Sequence, residues 1–196
     1  MHAVPHAAAP FVARVERVTA RDLPYSWRRG CPVPPSALRR IRLAYWGLDG
    51  RRHLGDLVIR DRVSGEVTTV FRILYRARFP IRRLESVDRY RGSDDASMAA
   101  DNTSGFNCRA AVAPGARRWS EHAYGEAIDV NPVENPYLEG ARVLPPAGAA
   151  FVNRTPRRGM AVPGGTLVRA FASVGWSWGG RWTGSRDYQH FSRSGR

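Results

Sequence analysis

The spacing of a few residues near the middle of the chain restricts the local fold more than any other feature of the sequence. His122 and Asp129 are seven residues apart, and Gly125 lies between them. On one continuous helix the pair would be two turns apart, roughly 10 Å along the axis, which is too far for both to coordinate one ion. Gly125 instead favours a turn after His122, followed by a strand that presents Asp129. The alternation of Ala127, Asp129 and Asn131 puts the last two on the same strand face.

A second polar segment lies close to the C-terminal end of the sequence, at residues 187–191, which read DYQHF. If this segment is also a strand, His190 can approach Asp129 from a neighbouring position. Two His and one Asp are sufficient to hold a zinc ion and leave one coordination position open. Asp187, three residues before His190, would then act on water at that position. The sequence therefore predicts a mononuclear Zn²⁺ site formed by His122, Asp129 and His190.

Both segments resemble peptidase family M15, the zinc peptidases that include D-alanyl-D-alanine carboxypeptidases. Residues 120–129 fit the family pattern SxHxxGxAxD, and residues 187–190 fit [DE]xxH. The resemblance is closest to the group whose sequences read ADNTSxFNCR, SxHAYGxAIDxNP and WGGxWxxxxDYQHF. These strings match residues 100–109, 120–132 and 178–191. The resemblance is dense in the C-terminal half of the chain and loose in the first half.

The resemblance implies a role for each matching residue. The zinc ligands of the family correspond to His122, Asp129 and His190. The acidic residue of [DE]xxH is the catalytic base, which corresponds to Asp187. Arg109 follows the upstream aromatic-containing segment in which family members place an Arg that binds a substrate carboxylate. Ser120 matches the Ser of SxH and is expected to hydrogen-bond the substrate, with local stabilisation of the loop as the competing role. Tyr124, Trp178 and Trp182 are candidates for the walls of the cleft, with packing in the core, the commoner role of aromatic residues, as the alternative.

The implied function is zinc-dependent hydrolysis of peptide bonds in bacterial cell-wall peptides, with D-alanyl-D-alanine carboxypeptidase activity favoured. An L-alanyl-D-glutamate endopeptidase is the first alternative, since Arg109 suits the carboxylate of either substrate. A non-catalytic zinc-containing domain that binds the wall is the second, although such a domain has no need of Asp187. The expected partners are peptidoglycan stem peptides.

Charge leaves a further class of partner open. The chain has a net charge of +14, and all 31 of its basic residues are Arg. A surface this positive attracts polyanions, among them nucleic acid and the anionic polymers of a bacterial wall. The Arg residues are scattered and no nucleic-acid-binding motif is recognisable, so no specific nucleic-acid partner is expected.

The periodicity predicts one α+β domain, an antiparallel sheet with helices packed against it, and the resemblance implies the compact fold shared with the Hedgehog signalling domain. Residues 1–35 are expected to be an irregular N-terminal segment, and residues 36–196 a single zinc peptidase domain. Strands are predicted at residues 41–46, 54–59, 81–87, 106–112, 127–130, 176–178 and 188–191, and helices after Ser64 and at residues 166–174. Residues 93–104 are expected to form a loop, and residues 132–163 a surface excursion.

The remaining expectations concern the environment of the protein. Cys31 and Cys108 are either both reduced and buried or joined in one bridge, which an extracytoplasmic enzyme would allow. Neither a transmembrane segment nor a signal peptide is visible in the sequence. The function nevertheless implies action in the cell envelope or outside the cell, and we expect a monomer.

Overall fold

The protein is described from a computed structural model, which covers residues 10–111 and 118–196. Its helices are α1 (Ser64–Arg76), α2 (Asp94–Ala99) and α3 (Thr166–Ala172). Its strands are β1 (Ala13–Arg17), β2 (Leu38–Gly47), β3 (Arg52–Arg60), β4 (Pro80–Ile81), β5 (Arg83–Leu84), β6 (Asn102–Thr103), β7 (Ala127–Asp129), β8 (Tyr137–Glu139), β9 (Arg142–Leu144), β10 (Ser177–Trp178), β11 (Arg186–Asp187) and β12 (His190–Ser192). The mixture of helices and mainly antiparallel sheets is an α+β architecture, as the sequence predicts.

The largest sheet has the order β1-β2-β3, with antiparallel pairing, and β4 pairs with β2 in parallel. The two long strands β2 and β3 include the two segments predicted as strands at residues 41–46 and 54–59. The expectation that residues 1–35 are irregular is wrong for β1, which pairs along its whole length with β2. Four of its five residues are exposed, so β1 lacks the half-buried alternation by which strands are recognised.

Helix α1 packs against β2 and against α3, and it contributes much of the main core. Its buried side chains are Val67, Val70, Phe71, Leu74 and Tyr75. Their spacing follows the helical period, which is why the sequence predicts both the helix and its buried face. The prediction of a helix at residues 166–174 is confirmed by α3, which is two residues shorter.

Helix α2 replaces the predicted loop at residues 93–104. Ser93 caps its first turn by accepting a hydrogen bond from the Ala96 backbone N–H at 3.2 Å, and Asp94 and Asp95 carry negative charge near the positive end of the helix dipole. The helix is short and polar, and it buries mainly Ser97 and Met98. Such a segment has no apolar stripe, and only its cap residues signal the helix.

The residues between 132 and 163 are more than a surface excursion. They include the hairpin β8–β9, and β11 pairs with the other edge of β8. Asn135 of this segment is fully buried, and Met160 and Ala161 are also buried. The prolines of this region predicted irregular structure, but the Asn135 side chain joins the two ends of the segment to the residue that follows β7: it donates to the Val130 and Gly159 carbonyls and accepts from the Ala161 backbone N–H.

A second, smaller core cluster anchors the N-terminal part of the described chain. It includes Leu23, Val33, Leu38 and Phe106, and beside them Cys31 and Cys108 form a disulfide. Of the two states left open by the sequence, the structure therefore contains the bridge. None of the helices within residues 10–111 and 118–196 combines the length and apolarity that crossing a bilayer requires.

The predicted strand at residues 106–112 is not a regular strand in residues 106–111, the part that the structure describes. Within this part, Ala110 makes an isolated antiparallel bridge with Trp119. Val112 lies outside the described residues. The predicted strand at residues 81–87 is formed only in part: β4 ends at Ile81, β5 covers Arg83–Leu84, and a 3-10 helix begins at Val87. The expected strands at residues 127–130, 176–178 and 188–191 correspond to β7, β10 and β12, which form one three-stranded sheet.

Candidate functional site

A turn followed by a strand positions the first two residues of the site, as their spacing predicts. Glu121–Tyr124 is a single 3-10 turn that carries His122, and the Ser120 Oγ accepts a hydrogen bond from the His122 backbone N–H at 3.3 Å. Gly125 ends the turn with φ +69°, and a Cβ there would lie 2.7 Å from the Arg60 backbone nitrogen. Glycine is therefore required for both the turn and the close approach of β3. Strand β7 then presents Asp129.

The pairing of β7 with β12 brings the third residue into place. His190 is directly opposite Asp129 in the antiparallel register, and its Nδ1 lies 3.1 Å from Asp129 Oδ1. His122 Nε2 lies 3.1 Å from Asp129 Oδ2 and 3.3 Å from His190 Nδ1. All three residues are buried. The structure thus brings together the three residues that the sequence predicts as zinc ligands, although the first and last are 68 positions apart in the sequence.

In each imidazole, the ring nitrogen that faces away from the cluster donates a hydrogen bond to a backbone carbonyl. His122 Nδ1 donates to the Gly105 carbonyl at 2.6 Å, and His190 Nε2 donates to the Arg196 carbonyl at 3.0 Å. With the outer nitrogens held in this way, the other ring nitrogens, His122 Nε2 and His190 Nδ1, face one another and Asp129. Carbonyl partners of this kind orient the imidazole ligands of metal sites.

The donor set suits a zinc ion. Burial alone would raise the pKa of Asp129, but the two imidazoles outweigh it and hold that pKa well below its usual range, so the group is a carboxylate. One potential ligand atom from each of the three residues lies within 4.8 Å of the other two. Four-coordinate zinc, with bonds of about 2.0–2.2 Å, places neighbouring ligands roughly 3.3–3.6 Å apart. The observed separations of 3.1–3.3 Å are close to that arrangement.

Asp187 approaches the same cluster from β11. Its Oδ1 atom is shielded from solvent and has no hydrogen-bond partner within residues 10–111 and 118–196. Removal of the carboxyl from water and the negative charge of Asp129 raise the pKa of Asp187 to about 7. Gly179 allows this approach, because a Cβ there would lie 3.0 Å from the Asp187 Cβ and 3.3 Å from the His190 Cβ. The neighbouring Arg186 is not its partner and donates to the Gly180 carbonyl instead.

The cluster lies in a cleft of about 440 Å³. Arg109 and Ser120, the expected substrate-binding residues, both line it. The Arg109 guanidinium pairs with Asp94 at 2.9 Å, while its Nε atom has no hydrogen-bond partner in the described part of the chain. Ser120 performs the local stabilising role described above, and its position in the cleft also suits contact with a ligand.

Of the three aromatic residues proposed for the walls, Tyr124 and Trp182 line the cleft. Trp182 packs on the His190 ring with 5.3 Å between centroids. Trp178 has the alternative role: it belongs to the main core, where its ring stacks near Phe191 and its Nε1 donates to the Tyr188 carbonyl. Because Trp178 neighbours Phe191 across the β10–β12 pair, its side chain shares the inward face of that sheet.

Several cleft residues were not anticipated from the sequence. Trp119, Tyr137 and Gln189 line the cleft from three separate segments. Glu126, inside the first motif, is buried and forms ion pairs with Arg60 at 3.2 Å and with Arg62 at 2.6 Å. The sequence did contain a signal for Gln189, because it immediately precedes His190 and the neighbours of a proposed metal ligand lie near the same site. Tyr137 gave no such signal.

Comparison with known proteins bears on the C-terminal part of the chain. A family model of peptidase family M15, described as D-alanyl-D-alanine carboxypeptidase, matches residues 114–193. This range contains the three buried residues of the cluster and Asp187. Searches of curated proteins and of solved structures give no significant match.

Proposed function

Residues 114–193 belong to peptidase family M15, and from this premise we propose that the protein is a zinc-dependent hydrolase of peptide bonds in bacterial cell-wall peptides. We propose D-alanyl-D-alanine carboxypeptidase activity as the reaction it catalyses, on a Hedgehog-like fold. The observation that carries the proposal is the convergence of three potential ligand atoms, from His122, Asp129 and His190, beside the unpaired carboxylate oxygen of Asp187.

In this proposal His122, Asp129 and His190 hold the ion. When bound, zinc supplies Lewis-acid chemistry, polarising the scissile carbonyl and making water more acidic. The carboxylate of Asp187 takes the proton from the attacking water and then delivers it to the nitrogen of the leaving amine. A buried carboxyl beside the cluster is suited to both transfers, because burial raises its pKa and makes it a stronger base than an exposed Asp.

Substrate binding is assigned to Arg109 and Ser120. Arg109 offers an Nε–H donor that no described residue uses, and a guanidinium binds a carboxylate with defined geometry. Asp94 holds the other side of the guanidinium and so positions it. Ser120 contributes a hydroxyl at the base of the turn that carries His122. These contacts would hold the substrate so that its scissile carbonyl faces the cluster.

An L-alanyl-D-glutamate endopeptidase is the second candidate. The cleft walls include Arg60 and Arg62, at the end of β3 and just beyond it, and Tyr137 and Leu144 of the β8–β9 hairpin. A cleft of about 440 Å³ with these walls would have room for residues on both sides of the scissile bond, which an endopeptidase requires. The carboxylate of D-glutamate would then occupy the position proposed for the terminal carboxylate.

We also propose that the protein acts outside the cytoplasm, in the cell envelope. The Cys31–Cys108 disulfide supports this, because such bonds persist mainly in oxidising compartments. The +14 charge would favour retention on anionic wall polymers.

The decisive experiment combines metal analysis with digestion of a synthetic stem pentapeptide that contains both candidate bonds. The expected result is one zinc per chain and loss of a single terminal alanine, read by mass spectrometry. Release of N-terminal L-alanine with the D-alanyl-D-alanine end intact would identify the endopeptidase. Zinc and peptide binding without cleavage of either bond would identify the non-catalytic wall-binding domain.

A further inference from the structure

Buried polar atoms without a hydrogen-bond partner are concentrated in the cleft. Among the described residues there are five such side-chain atoms, and four belong to residues that line the cleft. The four are Arg109 Nε, Tyr137 Oη, Asp187 Oδ1 and Gln189 Oε1. Because buried polar groups in proteins are nearly always paired, such a concentration indicates groups that face a ligand. Arg109 and Asp187 already have roles in the proposed reaction, whereas Gln189 has none.

Gln189 is the most deeply buried of the four, with 2% of its surface exposed. Its Oε1 atom has no partner among the described residues, and its Nε2 contacts only the Met98 sulfur at 3.5 Å. A thioether is a weak acceptor, so the whole carboxamide is poorly satisfied. A structural amide in the same protein looks different: Asn102 is fully buried and bonds to the Glu85 backbone at both ends of its side chain.

A backbone hydrogen bond fixes the position of Gln189 beside the cluster. Its carbonyl accepts from the Val130 backbone N–H at 3.0 Å, immediately beyond the Asp129–His190 pair. On the other side of the cleft floor, Asp94 and Met98 are four residues apart and therefore share one face of α2. Asp94 pairs with Arg109 and Met98 contacts Gln189, so the guanidinium and the carboxamide lie along the same face of this helix.

We propose that the Gln189 carboxamide binds a main-chain peptide group of the substrate, with Oε1 accepting from its N–H and Nε2 donating to its C=O. A carboxamide is the natural complement of a peptide group, since each offers one donor side and one acceptor side. With Arg109 alongside, the cleft selects a peptide-linked amino acid that carries a free carboxylate. Gln189 is a positioning residue in this scheme, and the inference rests on the proposed function.

The test uses Gln189→Met, which preserves the length and shape of the side chain but removes both hydrogen-bonding atoms. In the cleaving enzyme, KM for the stem pentapeptide should rise about tenfold with kcat little changed, since one or two neutral hydrogen bonds are lost. In an Asp187→Asn background, where binding is measured without turnover, calorimetry should show a similar rise in Kd. Zinc content should be unchanged in both.

Thermal unfolding separates this role from a structural one. Gln189→Met should melt at or above the temperature of the parent protein, because an unsatisfied buried amide is replaced by an apolar group of similar shape. Asn102→Leu is the matched control: it removes a satisfied buried amide and should melt at a lower temperature. A Gln189→Met protein that melts lower while retaining the parent KM and Kd would overturn the assignment.

The proposed function and the proposed role of Gln189 are contradicted by different results. If the parent protein cleaves no bond of the pentapeptide, the proposed function fails and this inference fails with it. If the parent cleaves and Gln189→Met cleaves with the same KM, the inference alone is wrong.

Discussion

Asp129 and His190 are directly opposite each other on β7 and β12, and Asp129 Oδ1 lies 3.1 Å from His190 Nδ1. The next pair in the same ladder is Ile128 and Phe191, both fully buried in the main core. A slip of one residue in either strand would turn the core side chain of that strand outward. The packing of the core therefore enforces the register that brings the carboxylate and the imidazole together.

Removal of one imidazole should severely weaken metal binding. We expect His122→Ala to lower zinc affinity by more than about 100-fold, because loss of even an outer-sphere partner costs 10–100-fold. Zinc content after dialysis and calorimetric titration measure the change. His53→Ala is the matched control: His53 is partly exposed, pairs with Asp49 at 3.0 Å and should have no effect on zinc content. Equal zinc content in the two variants would contradict the site.

Replacement of the proposed base should separate metal binding from turnover. Asp187→Asn keeps the shape of the side chain but cannot exchange the proton, so kcat should fall by about 10²–10⁴-fold while zinc content stays at one per chain. Asp56→Asn, which removes a surface partner of Arg42, serves as the control and should retain normal kcat. Loss of zinc from Asp187→Asn, with activity restored by excess metal, would show that Asp187 is a ligand.

The disulfide should contribute substantially to stability. Cys31 and Cys108 are 77 positions apart, and closing a loop of this size lowers the entropy of the unfolded chain by an amount worth about 4 kcal/mol. The double variant Cys31→Ser, Cys108→Ser should therefore lose up to that free energy of unfolding in urea titrations. Reduction of the natural protein should produce a similar loss. Unchanged unfolding under both conditions would exclude a stabilising role for the bridge.

Glu134 should make stability fall as pH rises. Burial and the adjacent Asp101 raise its pKa from 4.5 to about 8. The folded protein therefore retains a proton that the unfolded chain releases, so the contribution of this group is complete below pH 4.5 and is lost as pH approaches 8.

Glu134→Gln keeps the neutral form at every pH and should flatten this part of the stability profile, measured by urea unfolding between pH 5 and about 8. Glu16→Gln, a substitution at an exposed position of β1, is the control and should leave the profile unchanged. Identical profiles for the natural protein and Glu134→Gln would show that the carboxyl is not protonated in the folded state.

Sequence alone predicts the elements whose evidence is local. The helical spacing of the apolar residues in α1 and the short apolar-rich segments of β2 and β3 are each visible within a dozen residues. Strand β1 and helix α2 were not predicted, and for the same reason. Strand β1 is stabilised by its partner strand and α2 by its cap, so neither has an apolar pattern of its own. The spacing of His122, Gly125 and Asp129 likewise determined the turn and the strand that follows it.

Tertiary structure decided what these residues face. The Gly105 carbonyl, 17 positions before His122, orients its imidazole, and strand register places His190 across from Asp129. Tyr137 enters the cleft from a hairpin that the sequence did not predict. Motif spacing therefore determined which residues supply the ligand atoms. Long-range packing decided how those residues are oriented and which other residues line the cleft. The sequence could not show this, because long-range contacts join segments that share no local pattern.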